Sequence, residues 1–135
     1  MLSVKGLFWA AFVIFAACAL GFGWHEDLFT TGGSWLSGKT LVWAAFLGFL
    51  SYTIYCSSRE DLAASILKIS ELHWGRQVGA DLYLGLCLTL FVVYLNEGSA
   101  LVVLLWLLPT LAFANLATLL YFAIHYDAIV ARFPA

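Results

Sequence analysis

From Gly6 to Trp24 the chain carries no charged side chain, and the same is true from Thr40 to Cys56. About 20 apolar residues, rising 1.5 Å each, cross about 30 Å of hydrocarbon. Two further stretches approach that length. Val78–Leu95 is broken only by the acid Asp81, and Ala100–Tyr126 is interrupted by Pro109. No water reaches the backbone in lipid, so such segments become helices whose amides pair internally. The expected fold class is all-α: a polytopic membrane protein, one unit over residues 1–135, with transmembrane helices at 6–24, 40–56, 78–95 and 100–126. The second borrows residues at both ends, and the fourth is long enough to tilt.

Composition supports membrane integration and excludes several functions. Apolar residues make up 64% of the chain and charged residues 10%, with a mean hydropathy of +0.96. A soluble domain carries about 25% charge, more than twice what this chain has to face water. The net charge of −2 supplies no basic patch for phosphates, so no nucleic-acid partner is expected. Cys18 and Cys87 lie inside apolar segments and Cys56 near the end of another, without CxxC or Cys/His spacing. They read as small hydrophobes, with no metal site. GxSxG, HExxH and phosphate-loop motifs are absent, and no catalytic residue is assigned.

The N-terminal segment has two readings. Lys5, an apolar run and Ala17-Cys18-Ala19 resemble a signal peptide with its cleavage site. The chain nonetheless begins at Met1, and we read the segment as a retained helix. Lys5, Arg59, Lys68, Arg76 and Arg132 fall on one side of four crossings and Lys39 on the other. The positive-inside rule then puts both termini and the 57–77 connection in the cytoplasm, with the chain in a bacterial inner membrane. Trp24, Trp35 and Trp43 mark the outer boundary and Trp9 and Trp74 the inner one, while Trp106 lies deeper and needs a packing partner.

Within the inner connection, Ser58 is the expected N-cap of an amphipathic interfacial helix over 59–73. Leu62, Ile66, Ile69 and His73 share one face of it. The alternative is an extension of the second transmembrane helix. Asn96-Glu97-Gly98-Ser99 makes a tight turn, so the last two helices are antiparallel neighbours.

Asp81 is the first candidate for function, because an acid inside a membrane helix costs about 2.5–3.5 kcal/mol at the centre. Near the helix start, it also fits an interfacial acid paired with Arg76. The fourth helix leaves the membrane near Asp127, so Tyr121, Phe122 and His125 lie at the level of Asp81, and Asp81, Tyr121 and His125 outline a ligand pocket. Asn115, Thr118, Phe122 and His125 form one stripe by their spacing. Asn115 and Thr89 match in depth, so an Asn115–Thr89 bond and Thr118 complete an expected polar seam. His125 alone could hold a pigment as an axial ligand. Ala17/Gly21 on the first helix and Ala44/Gly48/Ser51 on the second are small-residue rows that allow close helix approach, inside the bundle or against a partner.

The runs Gly79-Ala80-Asp81-Leu82-Tyr83-Leu84-Gly85-Leu86, Asn96-Glu97-Gly98-Ser99, Leu104-Leu105-Trp106 and Asn115-Leu116-Ala117-Thr118-Leu119-Leu120-Tyr121 resemble small bacterial four-helix membrane proteins grouped as domains of unknown function. The resemblance spans the last part of the chain and implies an architecture without an activity.

Three functional readings follow. The first is a non-catalytic membrane subunit that packs against or stabilises a larger complex, or a homo-oligomer, among membrane lipids. The second is a binder or carrier of a lipophilic molecule (a quinone, a carotenoid or other pigment, or a lipid) near Asp81. The third is a small oligomeric transporter.

Overall fold

A computed structural model describes residues 3–24 and 36–133. Seven helices are described, in the order α1 (Val4–Phe22), α2 (Leu36–Arg59), α3 (Leu62–Ser70), α4 (His73–Glu97), α5 (Ala100–Phe113), α6 (Asn115–Ile124) and α7 (Tyr126–Val130). No strand occurs among the described residues. Three helices are long and apolar enough to cross a membrane, over Lys5–Phe22, Gly38–Arg59 and His73–Glu97. The all-helical class therefore stands, and these three helices are consistent with membrane integration. Four crossings do not follow, because the fourth apolar stretch is divided.

The chain bends where local chemistry favours an end. Ser3 opens α1, its hydroxyl accepting from the Gly6 amide at 3.1 Å. Asp61, rather than Ser58, caps α3 by accepting from the Ala64 amide at 3.1 Å. Ser58 is still inside α2, and its hydroxyl donates to the Tyr55 carbonyl at 2.6 Å. α3 is shorter than the expected 59–73 helix: Leu62, Ile66 and Ile69 present its exposed apolar face, whereas Arg59 ends α2 and His73 begins α4. At the next turn Gly98 has φ 67°, a left-handed conformation that closes α4 without the Cβ clash other residues meet there.

The decisive departure is at Ala114. A continuous helix would carry Tyr121 about 36 Å beyond Glu97 at 1.5 Å per residue. Instead the Tyr121 hydroxyl donates to the Glu97 carboxylate at 2.9 Å. The chain reverses at Ala114, with φ 50° and ψ −124°, so that α5 and α6 form a helical hairpin. Pro109 is tolerated inside α5, and the turn comes later, at Ala114. By rise, the 14 residues of α5 reach about 21 Å, short of the hydrocarbon thickness. The hairpin enters and leaves at one end of the bundle.

Its tip is locked by aromatic rings. Phe113 lies 4.8 Å from Phe8 and 5.0 Å from Phe12, centroid to centroid. Trp106 packs edge-on against Phe15 at 5.3 Å and Tyr121 at 5.0 Å, which supplies the partner its depth demands. Phe12, Phe46, Leu116, Leu120 and Ile124 form the buried core where α1, α2 and α6 meet. Most other large apolar side chains face outward, as a bundle in lipid requires.

Two ends of the bundle can now be told apart. At one, the Trp9 indole donates to the Ser57 hydroxyl at 2.8 Å, placing the start of α1 beside the end of α2 and near α3. At the other lie Gly23, packed against Ile124, together with Lys39, Glu97 and the chain from His125 to Arg132. The C-terminal residues thus share an end with the Asn96–Ser99 turn, opposite the start of α1. This replaces the expected arrangement with both termini on one side.

Candidate functional site

The polar residues of this largely apolar chain converge at the Glu97 end. Glu97 is the last residue of α4, placed there by the tight turn that Gly98 permits. Its Oε1 accepts from the Tyr121 hydroxyl at 2.9 Å and from the Asn96 amide at 3.4 Å. The Asn96 amide also donates to the Tyr121 oxygen at 2.8 Å. His125 closes α6, with Nδ1 3.7 Å from Glu97 Oε1 and its ring 4.4 Å from that of Tyr121. Arg132 returns from beyond α7 to donate to Asn96 Oδ1 at 3.0 Å and to the Asn96 carbonyl. These contacts tie both limbs of the hairpin and the C-terminal arm to the α4–α5 turn.

A second polar contact lies at the same end. Lys39, at the start of α2, is only 1% exposed, and its ammonium meets Asp127 of α7 at 2.6 Å. The Asp127 side chain is 43% exposed, so one partner is dry and the other reaches water. This pair fixes α7 to α2.

The sequence-derived pocket divides between the two ends. Tyr121 and His125 are neighbours, as expected. Asp81 is exposed on α4, about 24 Å along the helix from Glu97 at 1.5 Å per residue. It therefore does not share their site. The acid beside Tyr121 and His125 is Glu97, and the reason is the reversal at Ala114. Arg76 donates to His73 Nδ1 at 2.7 Å, a bond one helical turn away, instead of pairing with Asp81.

The expected Asn115–Thr89 bond is also replaced. Thr89 donates to the Gly85 carbonyl of its own helix at 3.0 Å, and Asn115 is exposed at the start of α6. A helix interior always offers a β-hydroxyl the carbonyl four residues back, so Thr89 needs no partner across the hairpin. Of the proposed seam, Thr118 alone is inside: its hydroxyl oxygen is buried without a hydrogen-bond partner. The small residues Ala17, Gly21, Ala44, Gly48 and Ser51 all face outward. A Cβ added at Gly21 or Gly48 would meet nothing within 4 Å.

Asn96, Glu97, Arg132, Lys39 and Asp127 complete this candidate site, and the sequence marks them only as turn, boundary or orientation residues. The available signal is scarcity: few polar groups occur outside the 57–77 connection, and those at 39, 96–97 and 125–132 have no helix face of their own to solvate them. Among the described residues no three His, Cys, Asp or Glu side chains are grouped to hold a metal ion. Chemically, the cluster can hold the α5–α6 hairpin in place, through bonds that join α4, α6 and the C-terminal arm. Comparison with family models, with curated proteins and with solved structures returned no match.

Proposed function

We propose that the chain is a non-catalytic subunit of the bacterial inner membrane that docks through the outer faces of α1 and α2 against helices of a larger assembly. The observation that carries this reading is the outward direction of its small residues. Rows at Ala17/Gly21 and Ala44/Gly48/Ser51 would be spent if they packed within the bundle, yet Gly21 and Gly48 have open space where a side chain would begin. Such rows let a foreign helix approach backbone to backbone, the contact that van der Waals packing in lipid rewards. The core instead uses Phe12 and Phe46, on other faces of the same two helices. The carrier reading loses support, because its acid Asp81 lies far along α4 from Tyr121 and His125.

Mild-detergent extraction from native membranes, followed by native electrophoresis and mass spectrometry, tests the proposal. The wild-type chain should migrate with a larger particle. Ala44→Leu with Gly48→Leu should release it while leaving the isolated bundle folded, since both positions face outward. Recovery of the wild type as a monomer carrying a tightly held small molecule would instead favour the carrier.

A further inference from the structure

The two ends of the α5–α6 hairpin are held by different physics. The tip is fixed by rings, through Phe113 against Phe8 and Phe12, and that grip is indifferent to pH. The open end is fixed by the groups that gather on Glu97 Oε1: the Tyr121 hydroxyl at 2.9 Å, the Asn96 amide at 3.4 Å and His125 Nδ1 at 3.7 Å. We infer that the His125–Glu97 pair is a pH-sensitive latch, fixing the C-terminal end of the hairpin and α7 to the α4–α5 turn as His125 gains a proton.

The neighbouring charges leave Glu97 as the partner of an imidazolium. From α2, Lys39 is matched to Asp127 of α7 at 2.6 Å. The Arg132 guanidinium is engaged on Asn96 of α4. Tyr94 of α4, Tyr121 of α6 and Tyr126 of α7 are the other titratable groups at this end among the described residues. Lys39 and Arg132 oppose a proton on His125, and Glu97 and Asp127 favour it. Among the described residues Glu97 has no other ion pair, and its Oε1 lies 3.7 Å from His125 Nδ1. His125 also stands at the carboxyl end of α6, where unpaired helix carbonyls favour a cation.

The direction follows from linkage. The pair exists only in the docked arrangement, so docking holds the imidazolium form more firmly than the undocked arm does. Docking therefore strengthens as pH falls through the imidazole range and weakens as pH rises through it. Ordinary carboxylates titrate below that range, and ordinary tyrosine, lysine and arginine above it, so histidine alone changes charge between about pH 5.5 and 8.

A nitroxide at Ala131, introduced through a cysteine in a variant lacking Cys18, Cys56 and Cys87, reports docking of the arm in lipid nanodiscs. The ratio of immobilised to mobile signal should fall about two- to five-fold from about pH 5.5 to 8, the size expected of a partly exposed ion pair. His125→Gln and Glu97→Gln should each flatten the response. His25→Gln and His73→Gln should leave it intact. Asp127→Asn should loosen the arm at every pH and keep the response. Glu97→Gln also disturbs Tyr121, so His125→Gln, which leaves the Tyr121 contact in place, is the deciding variant. The latch is overturned if the response survives His125→Gln, disappears in Asp127→Asn, or is missing from the parent.

Discussion

Lys39 and Asp127 lie 88 positions apart in sequence, and their charged groups meet at 2.6 Å at one end of the bundle. Of the two, Lys39 is the desolvated one, and Asp127→Ala takes away the carboxylate that its ammonium meets. Asp127→Ala should therefore destabilise the fold by about 1–3 kcal/mol, the cost of weakening the hydrogen bonding of a buried charge. Lys39→Met in that background should recover at least half of the loss, because it removes the buried charge and keeps the volume. Denaturant titration of the four species in detergent gives the coupling directly. Additive effects of the two substitutions would remove the pair from the account of stability.

How much of this is legible in the sequence depends on where charge is scarce. The three helices long and apolar enough to cross a membrane read clearly, as long runs such as Gly6–Trp24 carry no charge. The fourth stretch is as apolar as the others, and the break inside it leaves no mark. Alanine is the strongest helix former, and the reversal occurs at an alanine flanked by Phe113 and Asn115. Every depth argument then depends on that one residue. On a crossing helix Tyr121 meets Asp81, whereas on a hairpin it meets Glu97. The polar site is half legible for this reason: the sequence singles out Tyr121 and His125, whereas the acid beside them is Glu97, at the other end of α4 from Asp81.

Ala114 has φ 50° and ψ −124°, a region open to glycine and costly for a residue with a Cβ. Backbones held in such regions store about 1–3 kcal/mol each. Ala114→Gly should accordingly raise the unfolding free energy by about 1 kcal/mol, and Ala114→Val should lower it by more than that, being β-branched. The same denaturant titration decides. A loss of stability in Ala114→Gly would mean that the chain does not reverse there.

The Thr118 hydroxyl is buried with no partner. An unpaired hydroxyl costs about 1–3 kcal/mol when hidden from water. Thr118→Val keeps the shape and deletes the group, so it should stabilise by about 1 kcal/mol. If it destabilises, the hydroxyl has a partner in the membrane, and the polar seam regains a member.

Two glycines should respond in opposite ways. A Cβ at Gly75 would overlap the Ile69 carbonyl, a backbone atom that can move only if the elbow between α3 and α4 opens. Gly75→Ala should cost about 1–3 kcal/mol, as overpacking does. At Gly48 there is open space, so Gly48→Ala should stabilise the isolated bundle by about 0.5–1 kcal/mol through helix propensity alone. Equal and unfavourable effects at both sites would place Gly48 inside a contact of the bundle and weaken the docking proposal.

The hairpin changes the topology that labelling should find. With three crossings, Lys5, Arg59, Lys68 and Arg76 gather at the Ser57 end, whereas Lys39 and Arg132 lie at the Glu97 end. Four cations against two still favour the 57–77 connection in the cytoplasm. Arg132, however, now counts for the outside, because its guanidinium is bonded to Asn96 beside the α4–α5 turn. In a variant lacking Cys18, Cys56 and Cys87, single cysteines at Ser70, Ser99 and Ala131 should fall into two classes. An impermeant thiol reagent added to intact spheroplasts should modify Ser99→Cys and Ala131→Cys, and should reach Ser70→Cys only after the membrane is opened. Reversal of all three would invert the orientation and leave the hairpin intact. Protection of Ala131→Cys together with Ser70→Cys would mean that the segment from Ala100 onward crosses the membrane after all, and the Tyr121–Glu97 contact could not then exist.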